Sequence, residues 1–223
     1  MAATAEAPAT GLPDRDQVLE ALLPHVAFDG WGEAALRQAA ADLGIAPALA
    51  LDALPGGALG QVLAFSDWAD RRMQQALIEH DQPVPRLRDR VQLSVRLRLE
   101  LLTPHRDALR RSLAVLALPG NTPAGLKALH RTVDLIWNAA GDGATDHNWY
   151  SKRLLLGGVV SATTLYWLED KSEDHARTWD FLSRQLDLVI KIGGRLGKVA
   201  SRLLNAPDRL AQKLGRGAKH RYR

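Results

Sequence analysis

The chain has 223 residues, 46% of them hydrophobic, and no cysteine. That length suffices for one large or two small domains with a sizeable core, and the missing cysteine excludes a disulfide framework, a thiolate nucleophile and a cysteine metal site. The net charge of +4 is uneven: Arg184 to Arg223 holds 11 Lys and Arg against Asp187 and Asp208, leaving −5 on the rest, so a basic tail with an anionic partner follows an acidic body.

The first ten residues, MAATAEAPAT, show no basic stretch followed by an apolar one, so neither a secretory signal nor a transit peptide is expected, and residues 1–12 read as a disordered tail. No run approaches the roughly 18 uncharged apolar residues that a membrane-spanning helix needs. Asp14 to His25 predicts a first helix capped by Asp14, with Val18, Leu19, Leu22 and Leu23 inward and Pro24 near its end; Phe28, Gly30 and Gly32 predict a turn. A second helix spans about Glu33 to Leu43, with Ala35, Leu36, Ala39, Ala40 and Leu43 on its inner side, and Gly44 stops it. An Ala four residues before a helix-ending Gly is the tight corner of a helix-turn-helix, Ala40 allowing the helices to approach and Gly44 making the turn. With the helical pattern around it, this corner resembles the N-terminal domain of TetR-type regulators; a generic Ala-rich helical hairpin is the other reading.

The next segment stands where a recognition helix belongs. Between Arg37 and Arg71 there is no Lys or Arg, while Asp42, Asp52, Asp67 and Asp70 are all acidic. A DNA-reading helix needs cations for phosphates and donor-rich side chains for base edges, so a TetR-like fold here has lost its DNA surface. Asp67 to His80 continues as a helix with Trp68, Met73, Leu77 and Ile78 as core candidates, and Asp81 to Pro85 breaks it. Arg86 to Leu102 is amphipathic: Leu87, Val91, Val95, Leu99 and Leu102 point inward, and Arg86, Arg88, Arg90, Arg96 and Arg98 read as a solvated face rather than a nucleic-acid stripe. Thr103-Pro104 opens a helix through Leu109, Leu113 and Leu116 to Leu118. Pro119 to Pro123 is a loop, and Ala124 to Ala140 a helix with Leu126, Leu129, Val133, Ile136, Trp137 and Ala140 on one side.

Asp142 to Phe181 concentrates Trp149, Tyr150, Tyr166, Trp167, Trp179 and Phe181 in a chain that is only 5% aromatic. Leu154 to Leu168 reads as a buried helix, with Gly157-Gly158 allowing close packing or room for a ligand. Ser172 to Asp174 caps a further helix, Ala176 to Ile190. No alternating strand pattern of useful length occurs, so the chain is expected to be all-α, with nine or ten helices. The seven histidines show no metal-ligand spacing and no HExxH. A calcium loop suggested by Asp142, Asp146 and Asn148 fails because Arg153 stands where the bidentate Glu belongs. With no P-loop, dinucleotide fingerprint or G-x-S-x-G either, neither an enzyme nor a metal or cofactor is expected.

In the tail, Ile192, Leu196, Val199 and Leu203 form an apolar ridge, and Lys191, Arg195, Lys198 and Arg202 a parallel basic stripe. A helix of that kind suits a membrane interface, cations on anionic head groups and ridge in the acyl boundary. The alternative is a helix packed on the body with its basic side in water.

A specific resemblance rests on Leu118 to Pro123, Asp134, Trp137, Ala140-Gly141-Asp142, Thr145-Asp146, Asn148-Trp149-Tyr150, Arg153, Leu156 and Thr163-Thr164, then Asp170, Ser172, Asp174, Thr178-Trp179 and Phe181-Leu182. These residues resemble the signature of the ubiquinone (coenzyme Q) biosynthesis accessory protein family of mitochondria and alphaproteobacteria; His147 departs from it, standing where relatives usually carry an aromatic. The resemblance implies a TetR-like fold that does not regulate transcription, an isoprenoid lipid or phospholipid in the apolar cavity, a membrane-docking C-terminal helix, and presentation of substrate to a ubiquinone-pathway hydroxylase. It makes Trp149 and Tyr150 partner contacts, with Asp146, Asn148 and Arg153 shaping the patch. Leu97, Leu101, Leu135, Ile136, Leu155, Val159 and Leu165 are the expected lipid contacts. The expected layout is a degenerate helix-turn-helix domain over 13–66, a helical lipid-binding domain over 67–188 and a membrane-binding tail over 189–223. A homodimer on the inner face of the bacterial cytoplasmic membrane completes the expectation, with no nucleic acid bound. A TetR-type ligand-responsive regulator is the competing reading.

Overall fold

Nine α-helices follow one another along the residues that the computed structural model describes, 13–141 and 149–189, the side chains of 149–152 excepted. They are α1 Arg15–Asp29, α2 Glu33–Asp42, α3 Pro47–Ala53, α4 Gly57–Ile78, α5 Leu87–Leu101, α6 Arg106–Leu116, α7 Thr122–Ala139, α8 Trp149–Glu169 and α9, 176–189; short 3-10 turns at Thr103–His105 and Glu173–His175 lead into α6 and α9. No strand occurs among the described residues, so the all-α expectation holds. No single helix among them is long and apolar enough to cross a membrane.

The N-terminal corner forms as its residues dictate. Asp14 accepts a hydrogen bond from the Asp16 amide and caps α1. α1 does not end at Pro24: it continues to Asp29 with Pro24 inside it, and Gly30, at φ 73°, ends it. Phe28 therefore sits on the last turn of α1, largely exposed, rather than in a loop. Ala40 is completely buried, and Gly44 takes a left-handed φ of 65°. The Ile45 amide reaches back to the Ala40 carbonyl at 3.0 Å, the six-to-one bond of a glycine-terminated helix. Leu43, expected inside, is partly exposed.

α4 begins against a tight turn. A Cβ at Gly60 would stand 1.9 Å from the Pro55 carbonyl oxygen, so only glycine lets this turn close. α4 then runs unbroken for 22 residues, and the domain boundary expected at 66/67 lies inside it. An aromatic cluster at this point joins the helix-turn-helix to the rest. Trp31 contacts Phe65 with ring centroids 5.4 Å apart, and its Nε1 donates to the Ala108 carbonyl. Trp68 stacks on Phe65 and donates to Glu20. His105 meets both rings edge-on, and burial lowers its pKa.

Met73 proves fully buried, whereas Ile78 is exposed, because α4 ends there and its last turn projects past the body. In α5, Val91, Val95, Leu99 and Leu102 are buried as expected, and Leu87 is partly exposed at the helix start. Three of its arginines are not on a solvated face, while Arg96 is exposed as expected. Arg88 donates to Asp187 and Ser183 on α9, Arg90 to the Ala140 carbonyl at the end of α7, and Arg98, 9% exposed, to Asp70 on α4. Arg96 pairs with Glu100 and lies over the Trp179 ring. α8 is not buried all round: Leu156, Val160, Thr163 and Trp167 face the core, while Leu154 is 80% exposed.

The α8–α9 corner is built around Asp170. Its carboxylate accepts from the Ser172 amide and hydroxyl at 2.9 and 2.7 Å and from the Thr178 amide and hydroxyl at 2.9 and 2.6 Å. These four bonds hold Asp174 and His175 in consecutive left-handed conformations, φ 48° and 56°, which cost roughly 1–2 kcal/mol each for non-glycine residues. Burial pushes the Asp170 carboxyl up, but the bonds from Thr178 and Ser172 outweigh it and hold the group well below the usual carboxylate range. A depressed folded-state pKa stabilises the fold above the unfolded-state value of about 4, and the contribution fades as pH falls below that. Asp170→Asn is expected to lower stability at pH 7 by about 2–3 kcal/mol. Urea unfolding of both proteins from pH 7 to pH 2.5 checks the sign: the gap narrows with acid, because below about pH 4 the unfolded wild-type chain takes up a proton that the folded carboxylate still refuses.

A candidate binding cavity

Five helices enclose a cavity of about 450 Å³, within the roughly 300–1,000 Å³ range of small-molecule sites. α4 faces it with Val62, Phe65, Ser66 and Ala69, and α6 with Leu109, Ser112, Leu113 and Leu116. Both sets are spaced i, i+3, i+4, i+7, one stripe of a helix. α5 adds Arg98 and Leu102; α7 adds Gly125, Leu126, Ala128, Leu129 and Thr132; α8 adds Val160, Ser161, Thr164 and Leu165. The hydroxyls of Ser112 and Thr164 donate to the Ala108 and Val160 carbonyls one turn back, both at 2.8 Å. Their hydrogens are thus taken up within their own helices, and the walls stay largely apolar.

The cavity is open on one side. Leu126 on α7 and Leu165 on α8 are 62% and 58% exposed, and Ser161 and Ala117 are exposed beside them. The opposite side is closed by Phe65, Ala69, Leu102 and Arg98, all buried. There Asp70, 1% exposed, accepts from Arg98 Nε at 2.8 Å, from the Thr132 hydroxyl at 3.0 Å and from Arg131 Nη2 at 3.3 Å.

Of the expected lipid contacts, Leu165 lies on the cavity wall. The other six do not. Leu97 and Leu101 are half-buried, on the flank of α5 beside Arg98 and Leu102. Leu135 is half-buried and Ile136 fully buried, one turn beyond Thr132 on α7. Leu155 is half-buried, and Val159 packs in the core one residue before the wall residue Val160. The walls from α4 and α6 were missed altogether. Their signal was small residues at helical spacing on apolar faces, Ser66 and Ala69 on one helix and Ser112 on the other, where larger side chains would fill the space.

The expected partner patch is described in part. Arg153 is buried on α8 and ion-paired with Asp134 on α7, whose other oxygen lies 3.1 Å from His130 Nδ1. Trp149 and Tyr150 open α8, but their side chains lie outside the described residues, as do Asp146 and Asn148. The membrane-binding residues Lys191, Ile192, Arg195, Leu196, Lys198, Val199, Arg202 and Leu203 also lie outside them. Neither Gly157 nor Gly158 lines the cavity, and Gly158 is exposed. A Cβ at Gly157 would meet Leu129 at 3.7 Å, ordinary contact, while Gly158 faces open space. Among the described residues no group of three His, Asp or Glu is placed to hold a metal ion.

A second, polar depression lies between α6 and the α8–α9 corner, beside Arg106, Arg110, Lys171 and His175. Its arginines serve the end of α8: Arg106 donates to the Trp167 and Asp170 carbonyls, and Arg110 to that of Leu168.

Comparison with known proteins places the chain. A family model described as COQ9 matches residues 122–193. The ubiquinone biosynthesis protein COQ9, mitochondrial, of Rattus norvegicus is 32% identical over 193 residues, 83% of this chain and 61% of the relative. Its Drosophila melanogaster counterpart is 31% identical over 182 residues, 80% and 56%. The chain thus spans somewhat under two thirds of the length of these relatives. Among solved structures, a TetR transcriptional regulator from Nitrosomonas europaea superposes with a TM-score of 0.65 at 19% identity, covering 80% of this chain and 98% of the other. The fold is TetR-like, and the chain belongs to the COQ9 family.

Proposed function

We propose that this protein is a non-catalytic lipid-binding accessory protein of ubiquinone biosynthesis, which takes an isoprenoid quinone intermediate from a membrane and presents it to a hydroxylase of the pathway. The observation that carries this is the cavity: about 450 Å³, apolar-walled, and open between Leu126 and Leu165. Burying a prenyl chain there gains about 25 cal/mol per Å² of apolar surface, which offsets drawing the chain out of a bilayer. The relatives named as mitochondrial ubiquinone biosynthesis proteins support the pathway. A TetR-type regulator is disfavoured by α3, which exposes Pro47, Ala48, Leu51 and Asp52 and so offers DNA no cation and no side-chain donor. In the proposed role the protein sits peripherally on the inner face of the cytoplasmic membrane, anchored by the basic tail, and a homodimer is the default assembly for its architecture.

Ala128→Phe places a ring in the cavity from α7. Mass spectrometry of lipid extracted from the purified protein is expected to show isoprenoid in the wild type and about fivefold less or lower in the variant, at comparable melting temperature. Absence of isoprenoid from the wild type would count against the carrier role. Truncation after Val189 removes Lys191 to Leu203 with the rest of the tail; co-sedimentation with anionic vesicles is expected to fall about tenfold or more, at about 1 kcal/mol per lost cation near the surface. Trp149→Lys tests the docking patch. It should retain isoprenoid yet lose about tenfold or more in affinity for the hydroxylase, read by surface plasmon resonance, and unchanged affinity sinks that assignment.

A further inference from the structure

The cavity has two chemically unlike ends. At the mouth stand Leu126 and Leu165, both well exposed, with Leu116 beside them. At the closed end stands the guanidinium of Arg98, on the cavity wall beside Ser66 and Leu102. Arg98 Nε donates to Asp70, and Nη2 reaches the Ser66 hydroxyl only at 3.5 Å. Nη1 finds no acceptor among the described residues. Asp70 does not belong to Arg98 alone, since Arg131 and Thr132 also bind it. The inner end therefore combines a buried cation, unfilled N–H donors and a half-buried hydroxyl, in a chamber whose other walls are apolar. Donors so placed are costly when unfilled and bind an oxygen acceptor strongly when one arrives, because little water competes.

We propose that the cavity takes its lipid head first: an oxygen-bearing head docks on Arg98 and Ser66 at the closed end, and the apolar chain runs out past Leu113 and Leu129 to the mouth. This rests on the lipid-carrier role and adds an orientation and a head-group class to it. The head is small and carries a carboxylate, phenolic or carbonyl oxygen; a cationic head is refused by Arg98, and a pure hydrocarbon forgoes the inner donors. Held this way, the head is shielded, and the chain emerging between Leu126 and Leu165 is the last part to leave a bilayer.

The test uses the full-length protein, stripped of lipid, and displacement of Nile red by three 16-carbon probes: palmitate, hexadecan-2-one and 1-hexadecene. Palmitate, hexadecan-2-one or both are expected to displace the dye at about tenfold lower concentration than 1-hexadecene, the scale of a hydrogen bond to a charged group. Preference for palmitate alone assigns an anionic head, and preference for both a carbonyl or phenol. The double variant Asp70→Asn/Arg98→Met removes both charges without stranding a buried carboxylate. It should bring the three probes within about threefold of one another, whatever their common affinity. If that variant does not fold, Ser66→Val, which leaves the ion pair intact and sets methyls in front of Nη2, is expected to reduce the preference likewise. Equal displacement by all three probes in the wild type, or undiminished preference in the folded variant, overturns the orientation and leaves the carrier role standing. Failure of every probe to displace the dye overturns both.

Discussion

Asp70 fixes the distance between three helices around a space that packing alone would close. It lies fully buried on α4 and binds Arg98 of α5 and Thr132 and Arg131 of α7. The lining of a cavity this size forgoes dispersion contacts across it, so the surrounding helices gain by moving inward. A buried carboxylate with fixed partners resists that, because removing any partner leaves charge without compensation. Such a pair adds little net stability over an apolar substitute; its value here is positional. It sets α4, α5 and α7 at one separation, and the cavity occupies what they leave.

The other arginines act on helix ends in the same spirit. Arg90 serves the carbonyl at the end of α7, Arg111 that of Ala27 on α1, and Arg106 and Arg110 those at the end of α8. These are the last-turn acceptors that a helix cannot satisfy itself. Arg88 ties α5 to α9 through Asp187, whose hydrogen bond raises the arginine's pKa. A stretch that reads as a basic stripe is thus largely engaged in holding the bundle together. The excess positive charge of the sequence lies past residue 189, where Lys and Arg far outnumber acids.

The helix-turn-helix corner was legible in the sequence because it is local: Ala40 and Gly44 meet their constraints within five residues. Helix identities were legible for the same reason. Burial on α8 was not, since hydropathy gives Leu154, Leu156 and Leu165 one value, and only neighbouring helices decide that Leu156 is inside and the other two outside. Arg98 shows a signal that was present but overridden. Positions 91, 95, 98 and 102 form one helical stripe, which put Arg98 among the buried valines and leucines of α5; its charge suggested solvent, and its partner Asp70 is 28 residues away. The cavity was legible as an expectation of the family resemblance, but its walls were not. They depend on where small side chains from α4, α6 and α7 happen to face one another.

α8 connects the two ends of the proposed role. It opens with Trp149 and Tyr150 and carries Leu165 at the cavity mouth; at 1.5 Å per residue the docking end and the mouth are about 22 Å apart on one rigid element. Two contacts seat that element on α7: the Arg153–Asp134 ion pair near its start, and Gly157 against Leu129 and Val133 in its middle. Leu129 is itself a cavity wall. A Cβ at Gly157 would meet that wall at ordinary contact distance, so α8 and Leu129 lie close enough for a ligand pressing on Leu129 from within to act on α8. A hydroxylase seated at the start of α8 would thus rest on the helix whose position the occupant of the cavity helps to set.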